Sequence, residues 1–234
     1  MTGRAVVVLQ ARMGSQRLPG KVMAALAGHP LVEYCLLRLL AADVGPVVLA
    51  TTTQADDGVL VDLAIDMGVE AFGGPSHDVL ARFAAVAERH REATYVIRAT
   101  ADNPFVDIDA PTRVLKALSA GADYAVEEGL PMGAAVEGIR RDVLLRAQRQ
   151  ATSPYDREHV TPWARQHADV VRAQPLAPAD VRATDLRLTV DTPADLACVR
   201  LIAEGLAEAG IDPRLAPLRD VIALARRLSG GASA

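Results

Sequence analysis

The segment Ala11-Arg12-Met13-Gly14-Ser15-Gln16-Arg17-Leu18-Pro19-Gly20-Lys21 combines the residue types that bind phosphate. Its glycines allow close backbone approach, its amides can donate to phosphate oxygens, and Arg12 and Lys21 can neutralise their charge. The residues before Glu33 include Arg4, Arg12, Arg17 and Lys21 and no acid, although the whole chain carries a formal charge of −4. Only two lysines occur in the sequence, Lys21 and Lys116, so a lysine here stands out. The competing reading is a solvated basic loop; in either reading Lys21 is expected to be an exposed loop lysine of little weight in stability. Two stock phosphate motifs are excluded. A Walker loop needs four residues between its glycine and a Gly-Lys pair followed by Ser or Thr, whereas Gly14 and Gly20 enclose five and Val22 follows Lys21. The G-x-G-x-x-G dinucleotide pattern is absent after the first strand, which removes the usual warrant for hydride transfer.

Two carboxylates complete the set. Asp102, in Arg98-Ala99-Thr100-Ala101-Asp102-Asn103-Pro104, follows an apolar run and can hold a divalent cation, although Asp-Asn-Pro alone is an ordinary turn signal. Asp191 follows Leu186-Arg187-Leu188-Thr189-Val190 and precedes Thr192-Pro193-Ala194-Asp195-Leu196. Helix capping explains Thr192, Pro193 and Asp195 but not Asp191. Two acids at strand ends beside a basic loop are what a metal-bound triphosphate requires.

The elements that must position these residues alternate. Apolar runs predict strands over Ala5–Gln10, Val47–Thr51, Glu70–Phe72 and Tyr95–Ala99, separated by helices over Pro30–Ala42, Val59–Met67 and Asp78–Arg91. The right-handed crossover rule places these strands in one parallel sheet, with binding residues at their carboxyl ends. Beyond Asp109 the expected order is a helix over Ala110–Ser119, strands over Asp123–Val126 and Ala135–Ile139, and helices over Arg141–Gln150 and Arg157–His167. A strand over Leu186–Val190, helices over Pro193–Ala209 and Pro217–Leu228, and a frayed Gly230–Ala234 tail complete the series. The fold class is α/β, with a mostly parallel central sheet flanked by helices.

Length and composition set the bounds. The 234 residues favour one large domain over residues 1–234, with the basic loop in a first half over 1–109 and substrate contacts expected from a second half over 110–234. Half the residues are hydrophobic but only 3% aromatic, so the core is built from Ala, Val and Leu. The acidic balance argues against nucleic acid and anionic membrane as partners. No apolar run approaches the roughly 18 to 20 residues of a membrane span, and a cytoplasmic location is expected. Cys35 and Cys198, in apolar helix-like segments, read as buried free thiols.

The sequence resembles the cytidylyltransferases, particularly the spore-coat polysaccharide biosynthesis protein F family and, more distantly, the 3-deoxy-manno-octulosonate and acylneuraminate cytidylyltransferases. The resemblance rests on Leu9 to Ser15 with Arg17-Leu18-Pro19-Gly20-Lys21, Arg98 with Asp102-Asn103-Pro104, and Gly129-Leu130-Pro131 with Gly133 and Glu137. It continues through Arg157-Glu158-His159-Val160-Thr161-Pro162 and Asp191-Thr192-Pro193 with Asp195-Leu196, nearly end to end. It implies the nucleotide-diphospho-sugar transferase (GT-A-like) fold, a homodimer formed through the second half, magnesium as cofactor, and CTP and a small acidic or phosphorylated sugar-like acceptor as substrates. Arg12 and Lys21 then correspond to triphosphate ligands, within a nucleotide site that also takes in Ala11, Gly14, Ser15, Arg17 and Arg98. Asp102 and Asp191 correspond to the magnesium-binding acids, and Asn103, Glu137 and His159, with Glu127, to the acceptor side. Two positions depart from the pattern: Ala101 replaces a usual glycine, and Trp163 a common tyrosine. Two rival readings are a glycosyltransferase of similar fold, for which Asp107-Ile108-Asp109 has the Asp-x-Asp spacing, and a non-catalytic nucleotide or sugar binder. Capping is the expected role of that tripeptide.

Overall fold

The computed structural model describes residues 4–231. The first strand, β1 (Ala5–Gln10), is followed by the basic segment and a two-residue hairpin of β2 (Ala25–Leu26) and β3 (His29–Pro30). Ala27 and Gly28 turn this hairpin with positive φ, 45° and 86°. Then come α1 (Leu31–Ala41), β4 (Val47–Thr52), α2 (Gly58–Asp66), β5 (Glu70–Gly74), α3 (Val79–Arg89) and β6 (Tyr95–Thr100). The second half contributes α4 (Ala110–Ser119), β7 (Tyr124–Val126), β8 (Glu137–Arg140), α5 (Arg141–Gln150), α6 (Pro154–His159), α7 (Pro162–Gln166), β9 (Arg172–Ala173), α8 (Pro193–Glu208) and α9 (Leu218–Gly231). The tail expected to fray lies outside the described residues from Ala232 onward.

One seven-stranded sheet, ordered β5-β4-β1-β6-β8-β7-β9, runs through both halves. β5, β4, β1 and β6 are parallel, and β8 alone opposes its neighbours. Alternation along β1 sends Val7 and Leu9 to a first face, covered by α1, α2, α4, α8 and α9, and Val6 and Val8 to a second, covered by α3, α5 and α7. Both faces are buried, so the central strands read as continuous apolar runs. α4 lies flat on β8 because Gly138 has no side chain: a Cβ there would stand 2.4 Å from Val114 Cγ1.

The structure corrects several expectations. Residues 186–190 are not a strand of the sheet. The place beside β6 is taken by β8, and the segment instead runs extended along 131–134, joined by Leu188 N to Met132 O (2.7 Å) and Met132 N to Leu186 O (3.0 Å). The helix expected over Arg157–His167 is two, α6 and α7, broken where Val160 adopts φ 72° and ψ −54° before Pro162. β9 is an additional short edge strand. Cys35 is a buried free thiol as expected, but Cys198 is exposed, on the outer side of α8.

Candidate active site

The carboxyl edge of β1 and β6 opens into a cleft of about 680 Å³. Its floor begins with the basic segment, which is folded back on itself. Met13 O accepts from Ser15 N (2.8 Å) and Gly20 N (3.0 Å), the latter possible because Gly20 sits at φ 69°. The buried Asp57 fastens this loop to β4, accepting from Met13 N (2.7 Å), Thr52 N (3.1 Å) and the Thr52 hydroxyl. Neither Asp57 nor its role carries any motif in the sequence.

Lys21 is not an exposed loop lysine. Its side chain is 11% exposed, and Nζ donates to Val190 O (2.6 Å), Asp191 Oδ1 (3.2 Å) and Asp102 Oδ2 (3.3 Å). Two carboxylate oxygens bound to one nitrogen can be no farther apart than the sum of those distances, about 6.5 Å. Asp102 and Asp191 therefore meet, though not as ends of two parallel sheet strands. Val190 N donates to Asp102 O (2.8 Å), which fixes the second acid against the first. Gly133 permits that approach: its φ is 93°, and a Cβ would stand 2.6 Å from Thr189 N. Thr192 and Asp195 form a capping box at the start of α8, and Arg187 bridges Asp191 and Asp195, each at 2.8 Å. Burial raises the Asp191 carboxyl, but hydrogen bonds from Lys21 and Arg187 and the charges of Lys21 and Arg17 outweigh it and hold the group below the usual carboxylate range.

A second group lies over the other face. Arg98 on β6 is paired across the sheet with Glu137 on β8, which also accepts from the Tyr124 and Thr161 hydroxyls. Burial works to raise Glu137, yet the Arg98 charge and the three donors hold it below its ordinary range. Arg12 points away from Lys21, toward Ser76 O (3.4 Å) and Glu158 (3.8 Å). His159 lies against Tyr155, the ring centroids 4.4 Å apart and the planes tilted by 54°. It is presented by the strained Val160 turn, whose flanking residues are joined by Thr161 N to His159 O (2.8 Å).

Of the residues singled out from sequence, Ala11, Arg12, Ser15, Arg17, Lys21, Arg98, Asp102, Asn103, His159 and Asp191 line the cleft. Gly14 lies on the exposed outer side of the loop. Glu137 stands behind Arg98, and Glu127 is buried against Arg113, so neither glutamate lines the cleft. The Asp107-Ile108-Asp109 tripeptide borders a separate cavity. Asp107 is buried and paired with Arg113, and Asp109 makes no side-chain cap to α4, so the capping expected of the tripeptide is replaced by an ion pair. Sequence reading passed over Gln10, Arg82, Thr100 and Glu158, which also line the cleft. For Arg82 a signal existed: a charge on the apolar stripe of α3 between Val79 and Val86.

No group of three or more His, Cys, Asp or Glu converges on a metal position among the described residues. Asp102 and Asp191 form a pair of hard oxygen donors. That donor set fits magnesium, which takes one or two carboxylates and completes its octahedron with phosphates and water; it does not fit a closed structural metal site.

Known proteins share this architecture. The spore coat polysaccharide biosynthesis protein SpsF of Bacillus subtilis (strain 168) is 34% identical over 209 residues, spanning 86% of this chain and 87% of its own. A cytidylyltransferase from Leptospira borgpetersenii superposes with a TM-score of 0.84 at 21% identity, covering 98% of this chain and 95% of that one. The CMP:2-keto-3-deoxy-manno-octonic acid synthetase complexed with CTP gives 0.66 at 21% identity, over 88% and 99%. The cytidylyltransferase family model matches residues 6–208, and the chain belongs to that family of nucleotidyltransferases.

Proposed function

We propose that this cytidylyltransferase transfers CMP from CTP to a small acidic or phosphorylated sugar-like acceptor and releases pyrophosphate. The observation that carries the reading is the convergence of Lys21, Asp102 and Asp191 beneath the basic loop. An acceptor oxygen attacks the α-phosphorus, the bond from that phosphorus to the α,β-bridging oxygen breaks, and the electron pair leaves with pyrophosphate. Such a reaction needs charge neutralisation and alignment, and no covalent enzyme intermediate. Lys21 and Arg17 offset charge on the phosphates, and Arg12 does so from the opposite wall. Asp102 and Asp191 would hold magnesium, which when bound neutralises phosphate oxygens. Arg98, braced by Glu137, serves the nucleotide, and Asn103 and His159 face the acceptor. A carboxylate or phosphate acceptor arrives deprotonated and needs no base.

The glycosyltransferase alternative loses support because its Asp-x-Asp candidate borders the other cavity. No described helix is long and apolar enough to cross a membrane; a cytoplasmic homodimer completes the proposal. The test is a pyrophosphate-release screen of the four nucleoside triphosphates against sugar acids, sugar phosphates, polyol phosphates and phosphonates, with and without magnesium. Release from CTP with one acceptor class supports the reading. Sugar transfer from a nucleotide sugar, or binding without turnover across the panel, refutes it.

A further inference from the structure

α3 buries a charge for which the protein supplies no partner. Arg82 lies on the apolar stripe of the helix with Val79, Phe83 and Val86, and is 2% exposed. Its Nε and Nη1 find no hydrogen-bond partner among the described residues. The carboxylates whose charge reaches it are committed elsewhere. Asp57 fastens Met13 and Thr52, while Asp78 caps α3 at Ala81 N (2.8 Å) and pairs with Arg157 (3.2 Å). Burial, and after it the charge of Arg12, pushes the guanidinium down to about 10, with Asp57 and Asp78 opposing. Gly74 is shaped to this side chain: a Cβ there would stand 2.8 Å from Arg82 Cγ. A buried, unpaired guanidinium is costly, and its retention on a cleft wall marks a contact that a ligand completes.

Gln10 makes the wall more specific. Alternation along β1 places it on the second face, the face that α3 covers, and its Oε1 is also buried without a partner. Both residues line the cleft. The wall thus offers unused donors and an unused acceptor. Phosphate oxygens, which Arg12 meets from this same wall, could satisfy only the donors and would leave the Gln10 acceptor unused. Arg82 also packs against Gly74 at the end of β5, on the side of β1 away from β8. Among the parts of a nucleotide, the edge of a base fixes acceptors and a donor side by side in one plane, the arrangement that complements these groups.

We propose that Arg82, with Gln10 beside it, reads the edge of the cytosine ring. Cytosine sets its amino donor next to the N3 and O2 acceptors, matching an acceptor from Gln10 and donors from Arg82. Uracil turns both relevant groups round, with a carbonyl at position 4 and an N–H at position 3, so each would face its like. The inference rests on the CTP-dependent transfer proposed above and names its specificity determinant.

The experiment compares wild type with Arg82→Met and Arg82→Lys in three measurements: calorimetric binding of CMP and UMP, kcat/KM for CTP and UTP, and thermal stability. Arg82→Met is expected to weaken CMP binding roughly 10- to 100-fold and to shrink the CMP-over-UMP preference, the size of losing hydrogen bonds to a charged group. Its KM for the acceptor and its Tm should hold, or its Tm rise, because an unpaired buried charge has gone. Arg82→Lys keeps the charge but loses the planar fork, so it should lose the preference too, which serves if the methionine variant does not fold. A raised acceptor KM with CMP binding intact would overturn the proposal in favour of an acid on the acceptor. Equal loss of CMP and UMP binding with their ratio kept would assign Arg82 to phosphate, and unchanged binding to a purely structural role; both overturn it. Failure of the wild type to release pyrophosphate from CTP would strike the proposed transfer instead, while CMP selectivity dependent on Arg82 would still support the base contact.

Discussion

Replacing Lys21 with methionine tests the central charge arrangement through folding as well as turnover. Its ammonium stands 3.3 and 3.2 Å from two carboxylates, a gross attraction of about 5 kcal/mol each at an effective dielectric of about 20. Desolvation and partial exposure of the aspartates return most of this. What survives removal is repulsion between two carboxylates no more than about 6.5 Å apart, at least about 2.5 kcal/mol on the same scale. Asp191 keeps Arg17 and Arg187 as partners, whereas among the described residues the Asp102 carboxylate keeps only the Thr100 hydroxyl (2.6 Å). The net cost of Lys21→Met should be about 2 to 4 kcal/mol, or about 5 to 15 °C in Tm for a chain of this size. That is well above the few tenths of a kcal/mol proper to an exposed loop lysine. The sharper consequence is a change of sign. Asp102→Asn alone should cost at most about 1 kcal/mol, since Lys21 retains Asp191 and Val190 O, whereas in the Lys21→Met background it should restore about 1 to 2 kcal/mol by removing the repulsion. Pyrophosphate release should stay low in all three variants, by on the order of 10²-fold or more. Urea or thermal unfolding of the four proteins decides the matter. Additive costs, with Asp102→Asn destabilising in both backgrounds, would refute the shared-charge reasoning.

Other outcomes are equally direct. Gly133→Ala places a Cβ 2.6 Å from Thr189 N at φ 93°; it should cost about 1 to 3 kcal/mol and reduce turnover more than Thr189→Ala, as measured by unfolding and pyrophosphate release. Glu137 is held below its ordinary pKa in the folded state, so its stabilising contribution is present above the unfolded carboxylate value and is lost as pH falls through the folded one. The stability gap between wild type and Glu137→Gln should therefore be widest near neutrality and close on acidification below about 4.3; a gap independent of pH would remove the ion pair as its cause. Under native conditions a thiol reagent should modify Cys198 and spare Cys35, whose thiol burial and the Asp102 charge push up; mass mapping of the labelled site checks this.

The sequence was most legible where one element carries its own signal. The apolar runs of β1, β4 and β6 and the stripes of α1, α3 and α4 announce themselves because both faces of a parallel sheet are buried. The basic loop was legible because Lys21, Arg12 and Arg17 crowd one short segment of an acidic chain. What failed was whatever depends on a distant partner. Leu186 to Val190 alternates like a strand, but whether it joins the sheet is settled by β8 occupying the position next to β6. Glu137 looks like any surface acid until β8 pairs it with Arg98. Arg12 and Lys21 read as one phosphate pair, yet the fold-back of the loop on Met13 O sends them to opposite walls.

This separation bears on how the cleft works. Over the first face, Lys21, Arg17 and Arg187 surround Asp102 and Asp191, so each acid there is already balanced by bases. Over the second face Arg98 is neutralised by Glu137, and Arg12 only loosely by Glu158 at 3.8 Å, while Arg82 makes no ion pair among the described residues. In the proposed reaction a triphosphate would add negative charge mainly at the first pole, where Lys21, Arg17 and Arg187 are the bases that would meet it. The second pole has little to exchange, and its unsatisfied groups are held in place: Arg82 is wedged against Gly74 and Arg98 is braced across the sheet. Rearrangeable charge at one pole suits a reaction whose charge moves from the α-phosphorus to the leaving group. Fixed donors and acceptors at the other suit recognition, because discrimination between similar ligands requires that a wrong one leave buried groups unpaired.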